Sequence, residues 1–254
     1  MSRAARRLAP ALAALLCLGA AKPVLVPDVS DDSVRILYSF AGDELLLFGA
    51  ILYPGGIMPD RPADIAIVLK GPTESVIVRQ KRKIAGIWVN AESARFRSAP
   101  SFYAVASSRP IDRLVDARTA FIYELGLDSL QMSPVSGALP EEQRRFKDGL
   151  IALKRRAGLY REEAGGVAIR DHVLYRARIA IPARVPVGRY TAETFLIQDG
   201  RVVAAAVREV RVAKTGFERL VAQAARRWSI AYGLVAVALS LVIGWGAGAL
   251  FRRI

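Results

Sequence analysis

The chain has 254 residues, 53% of them hydrophobic, and carries 37 Lys and Arg against 23 Asp and Glu for a formal net charge of +14 at pH 7. A mean hydropathy of +0.26 and a pI near 10.5 are high for a soluble domain, so part of the apolar content is expected in membrane-related segments. One cysteine and one histidine exclude a disulfide framework, a thiolate metal centre and the common Cys/His or multi-histidine sites.

The N-terminal "MSRAARRLAPALAALLCLGAAKP" places Arg3, Arg6 and Arg7 before an apolar run from Leu8 to Leu18, followed by Gly19, Ala20 and Ala21. This three-part pattern predicts a secretory signal over 1–21, cleaved after Ala20 or Ala21. The run is shorter than the ~20 apolar residues of a spanning helix. Cys17 follows Leu16 rather than the small residue a lipoprotein signal needs, so the mature chain is expected to contain no thiol.

Residues 22–214 are expected to form one β-rich domain. "SVRILYSF", "ELLLFGAILY", "ADIAIVLK", "SVIVRQKR" and "IAGIWVN" are short runs rich in Val, Ile, Leu and aromatics, separated by Gly, Pro, Asn and Asp turns. Apolar spacing turns helical from Ile111, and "LPEEQRRFKDGLIALKRRAGLY" is the clearest helix. Pro140 suits its first turn, Glu141 and Glu142 its positive end, and Lys154, Arg155 and Arg156 its negative end. Phe146, Leu150, Leu153 and Ala157 make the stripe expected to cover a sheet. Strands resume in "DHVLYRARIAIP" and in two runs joined at Asp199-Gly200, a strong hairpin signal. Tyr190 stands where a corner tyrosine can bond back to the chain. The trailing strands are too few to close a sandwich alone. The fold expected is therefore mainly β, an immunoglobulin-like sandwich with a helical insertion over about 109–165, plus one C-terminal transmembrane helix.

The C-terminal part is predicted as an amphipathic juxtamembrane helix over 215–228, a transmembrane helix over 229–251 without a charged residue, and a cytoplasmic tail over 252–254. Arg226 and Arg227 balance Arg252 and Arg253, so orientation rests on the N-terminal signal. The localisation expected is single-pass in the inner membrane, the bulk of the chain periplasmic and the C-terminus cytoplasmic. Three basic residues lie in the signal and two follow the last apolar run, leaving the exported region at a net +9. Such a domain is drawn to anionic lipid, and nucleic acid is not an expected partner.

The chain offers little catalytic chemistry, and no enzyme activity, cofactor or metal is expected. His172, beside Asp171, reads as structural, and no G-x-S-x-G elbow occurs. Asp31-Asp32, Glu141-Glu142 and Glu162-Glu163 are neighbours whose side chains diverge, so none is a catalytic dyad by itself. "DVSDDS" lines up oxygen ligands yet lacks the glycine and glutamate of an EF-hand, and reads as a solvated loop. Lys81, Lys83, Arg95 and Arg97, with Arg82, can form an anion- or partner-binding face around the Trp88 strand, or simply a charged outer face that guards an edge. Ala236, Ser240, Gly244 and Gly248 recur every fourth residue, a stripe on which another helix can pack closely.

"KGPTESVIVRQKRKIAGIWVN", "PSFYAVASSRP", "IPARVPVGRYTAETFLIQDG" and "YGLVAVALSLVIGWGAGALF", in that order, resemble a family of alphaproteobacterial transmembrane proteins. The resemblance implies a membrane-anchored protein with no catalytic residues to carry over, and a sulfite-exporter-type permease as a neighbour. The function expected is that of a periplasmic accessory or binding subunit of an inner-membrane assembly. Its expected partner is another integral membrane protein or a second copy, met through the C-terminal helix. The alternative is an envelope enzyme that uses carboxylates on polymers or lipids.

Overall fold

A computed structural model describes residues 23–30, 33–37, 43–56, 62–134, 139–215 and 225–251. The expected signal peptide with Cys17, the expected tail, residues 216–224 of the expected amphipathic helix, and Asp31 and Asp32 lie outside the described residues.

Three open sheets make the body. The first runs β1 (Val24–Val29), β3 (Asp43–Leu52), β11 (Leu174–Ile181), β10 (Val167–Arg170), each neighbour antiparallel. The second has six strands in the order β2 (Ser33–Leu37), β13 (Arg201–Thr215), β12 (Gly188–Gln198), β4 (Asp64–Lys70), β7 (Tyr103–Ser107), β9 (Tyr160–Ala164). Its two outermost pairings, β2 with β13 and β7 with β9, are parallel. The third is the long hairpin of β5 (Thr73–Ile84) and β6 (Ile87–Pro100), met at its base by the short β8 (Ser133–Pro134).

Burial follows from side-chain alternation. In β11, Tyr175, Ala177, Ile179 and Ile181 are buried while Arg176 and Arg178 face water, the signature of a sheet covered on one side. In β4, every residue from Ile65 to Leu69 is fully buried. Ile65, Ile67 and Leu69 pack towards the four-stranded sheet with Leu45, Leu47, Ile51 and Tyr175. Ala66 and Val68 face the opposite way, into a second core with Tyr103, Val105, Phe195, Leu114 and Ile151. That second face is covered by α1 (Ile111–Leu114), α2 (Ala117–Ile122) and the loop through Leu130, with one side of α3 (Pro140–Arg156). A strand dry on both faces needs apolar residues at every position, and "IAIVL" supplies them.

This corrects the immunoglobulin-like sandwich. The protein is a mixed α/β fold of open sheets in which the six-stranded sheet is sandwiched between a sheet and helices. The helix stripe is corrected in detail as well. Phe146 and Leu150 of α3 pack on Val78, Ala94 and Phe96 of the long hairpin, whereas Ile151 faces the second core and Leu153 is exposed. α3 sits at a junction between two cores, so its buried positions straddle the single stripe.

The C-terminal helix α4 (Ser229–Phe251) has no charged residue. Among the described residues no helix is long and apolar enough to cross a membrane. The expected transmembrane helix over 229–251, and the single-pass inner-membrane topology built on it, are overturned by that finding.

Four buried tyrosines brace the layers. The Tyr190 hydroxyl donates to the Pro186 carbonyl at 2.7 Å, and that of Tyr160 to Pro100 at 2.7 Å. The Tyr103 hydroxyl donates to the Glu124 carbonyl at 2.6 Å and accepts from the Gly126 amide at 3.0 Å. Burial raises the pKa of Tyr103, Tyr160, Tyr175 and Tyr190, to about 12 for Tyr190. Unfolded tyrosines ionise near pH 10, so above that pH the unfolded state binds fewer protons than the folded one. Stability is expected to be intact below about pH 10 and to fall steadily as pH rises towards 12. Urea midpoints across this range test it, and Tyr190→Phe should flatten the decline.

Candidate functional site

Among the described residues, the β5–β6 hairpin holds the most one-sided charge. Its tip is a two-residue turn, Ala85 (φ 49) and Gly86 (φ 85), the geometry that matches strand twist. Register pairs Lys83 with Trp88, Lys81 with Asn90, Arg79 with Ser93 and Ile77 with Arg95. Paired residues share a face and alternate ones switch. Arg79, Lys81, Lys83, Arg95 and Arg97 therefore line one side together with Trp88, and all are exposed. The structure thus brings Lys81, Lys83, Arg95 and Arg97 onto a single face with Trp88 and adds Arg79, whereas Arg82 lies on the opposite side, paired with Glu92. Stepping by two along β5 from Lys81 would have found Arg79.

The hairpin's two carboxylates, Glu74 and Glu92, sit on the opposite side, against α3. Glu74 takes an ion pair from Lys154, and Glu92 takes one from Arg145 and another from Arg82 at 3.5 Å. On the outer side Arg95 donates to Ser75 Oγ at 3.2 Å. No ion pair with a described carboxylate engages Arg79, Lys81, Lys83, Arg95 or Arg97. Beyond Val78 the hairpin leaves the core, and every residue from Arg79 to Ala91 is exposed. The six residues after Val78, the last buried residue of β5, carry the tip roughly 20 Å beyond the core at about 3.3 Å each.

A second candidate lies over the helical layer. A hollow of about 370 Å³ is lined by Lys70, Tyr123, Glu124, Gln131, Glu193 and Phe195, among others. Lys70 Nζ lies 2.6 Å from Glu124 Oε2 and 3.2 Å from Glu193 Oε2. Burial lowers the Lys70 pKa, but hydrogen bonds and charge from the two carboxylates outweigh it, and the net direction is upward. Glu124, at φ 50, also accepts the Gln131 amide at 3.0 Å. Both acids are thus engaged by one cation, the arrangement of a structural clasp that ties the loop after α2 to β4 and β12.

The remaining sequence candidates fall apart spatially. His172 is exposed in the β10–β11 turn at φ 56 and offers its carbonyl to the Tyr53 hydroxyl at 3.3 Å. Asp28 accepts its neighbour Val29's amide at 2.8 Å. Glu162 accepts the Leu127 amide at 3.1 Å, which fixes the loop beneath α2. Among the described residues no three His, Cys, Asp or Glu side chains gather to hold a metal ion. On α4, Ala236, Ser240, Gly244 and Gly248 are exposed, and a side chain added at Gly244 would meet open space.

Residues 24–253 match the family described as "Putative transmembrane protein (Alph_Pro_TM)", and the chain belongs to it. That membership stands, although the single-pass architecture expected with it does not. No curated protein matches the chain. Among solved structures it is similar to Spo0M, a sporulation control protein from Bacillus subtilis, at 9% identity and a TM-score of 0.27. The likeness covers 77% of this chain and 51% of that one, so this chain spans about half the length of that protein. At that score it carries no argument about fold or function.

If Lys70 is a clasp, Lys70→Met leaves Glu124 and Glu193 without their shared cation. The variant should lose about 1–3 kcal/mol of unfolding free energy in urea. A change within about 0.5 kcal/mol, the range of an ordinary surface substitution, would show that the clasp adds nothing.

Proposed function

We propose that this family member is a non-enzymatic accessory or binding subunit of a membrane assembly, attached through α4 while the β-rich body meets its ligand or partner. The observation that carries the reading is the surface of α4. The helix is uncharged, and every described side chain on it is exposed, including Ile230 at 80% and Trp245 at 73%. A helix apolar on all sides loses free energy by leaving water for lipid or for other apolar helices.

The stripe of Ala236, Ser240, Gly244 and Gly248 supports a helix as the neighbour, because small side chains admit a close approach of backbones. The Ser240 hydroxyl donates to the Ala236 carbonyl of its own helix at 2.9 Å, so it needs no outside partner and leaves the stripe able to pack. The neighbour is an integral membrane protein or a second copy of this chain, and a sulfite-exporter-type permease is the first to test. The rival reading, an enzyme using paired carboxylates, finds its one support in the hollow at Lys70. There both acids are tied up in ion pairs with Lys70, which fits a structural clasp better than a catalytic pair.

Full-length protein is expected to stay with membranes through a high-salt wash and to require detergent for release, while a chain ending at residue 224 is released. Cysteine introduced at Ser240 or Gly244 should crosslink to one discrete partner, and cysteine at Leu239, off the stripe, should not. Release of the full-length chain by salt alone would sink the reading.

A further inference from the structure

We infer that the tip of the β5–β6 hairpin is a lipid-docking element, built to seat on a bilayer surface rich in anionic phospholipid headgroups. The inference concerns a site separate from α4. Its first support is the segregation of charge. The hairpin carries six cations and two carboxylates, and both carboxylates are turned towards α3 and paired there. The outer side therefore presents Arg79, Lys81, Lys83, Arg95 and Arg97 with no acid among them. A charged surface that only protects an edge strand has no need to exclude one sign. A surface that meets a sheet of phosphates does, because each cation near an anionic bilayer adds attraction and each carboxylate removes it.

The second support is the apolar tip. Ile84 is 56% exposed, Ile87 68%, Trp88 65% and Val89 38%, all within two residues of the turn or three beyond it. Nothing in the described protein covers them. By the register, Ile84, Ile87 and Val89 point to one side of the ribbon and Trp88 to the other, so the end of the arm is apolar on both faces. Lys81, Arg82 and Lys83 stand just behind it. An apolar end with a tryptophan beside it, backed by a collar of cations, matches the order met on entering a bilayer surface in reverse: acyl boundary first, headgroup phosphates behind. The arm's reach places this tip clear of the body.

A basic ribbon can also lie in a nucleic-acid groove. Two observations favour lipid. Apolar side chains project from both faces of the tip, where a groove would offer phosphates and base edges, and the same chain bears the uncovered apolar helix α4.

The chain has three tryptophans, so Trp228→Phe with Trp245→Phe in the full-length protein leaves Trp88 as the sole emitter. This protein is mixed with vesicles of phosphatidylcholine alone and with vesicles that also contain phosphatidylglycerol. Trp88 emission should shift to the blue and be quenched by brominated acyl chains only when phosphatidylglycerol is present, and the shift should diminish with salt. Replacing Arg79, Lys81 and Lys83 together by Ala, all at exposed positions, should weaken the Trp88 response on the order of 100-fold. Equal responses to both vesicles, no response to either, a response to duplex DNA in place of vesicles, or a lipid-free shift that grows with protein concentration would each overturn the inference. Attachment through α4 is read separately, as flotation with phosphatidylcholine alone, so failure of one reading does not disguise failure of the other.

Discussion

Everything in the body rests on keeping both faces of one sheet dry. β4, with five consecutive residues wholly excluded from water, is the plank on which a second sheet packs from one side and short helices from the other. At about 25 cal/mol per Å² of apolar surface, a strand buried twice over contributes far more per residue than one half in solvent. It also tolerates no polar substitution on either side, because a hydroxyl or amide placed there would find neither water nor a partner. Three of the four buried tyrosines named above conform to this rule, Tyr103, Tyr160 and Tyr190 each carrying the hydroxyl to a backbone carbonyl, whereas the buried Tyr175 hydroxyl has no such acceptor.

Strand positions were legible because local rules decide them. The Asp199-Gly200 hairpin, the alternation in "LYRARIAI" and the charge-capped helix from Pro140 are local in this sense, and the structure contains each. The assembly of strands was not legible in the same way. "SVRIL" pairs in parallel with the far end of β13, and "YREEA" pairs in parallel with "YAVAS" across the whole helical segment. Neither pairing leaves a trace in the spacing of residues. One sign of the layered architecture does lie in the sequence. "IAIVL" lacks alternation, which marks a strand covered twice rather than a sandwich strand with one wet face.

The same contrast holds for the candidate sites. Lys81, Lys83, Arg95 and Arg97 are brought to one side by period-two geometry that can be counted directly from the chain. What could not be counted is that Glu74 and Glu92 are turned away and neutralised by α3, since that depends on where a helix some 50 residues downstream docks. The Lys70 clasp joins residues from β4, the loop after α2 and β12, which lie far apart in sequence and share no motif. The uncharged C-terminal helix shows the converse: lack of charge over Ser229–Phe251 does not by itself make a membrane span, and among the described residues no helix is long and apolar enough to cross one.

The strand order also dictates when the protein can begin to be folded during synthesis. β3 must wait for β11, β4 for β12 and β2 for β13. β1–β3, β4–β7 and β5–β6 can pair early, but β3 and β4 each keep one edge open, and β2 has no lateral partner, until the ribosome has passed Leu174. Contacts of such long range are slow to form and leave sticky edges exposed meanwhile. A nascent chain of this design has an extended interval in which a holdase, rather than its own later half, is the natural companion of its first hundred residues.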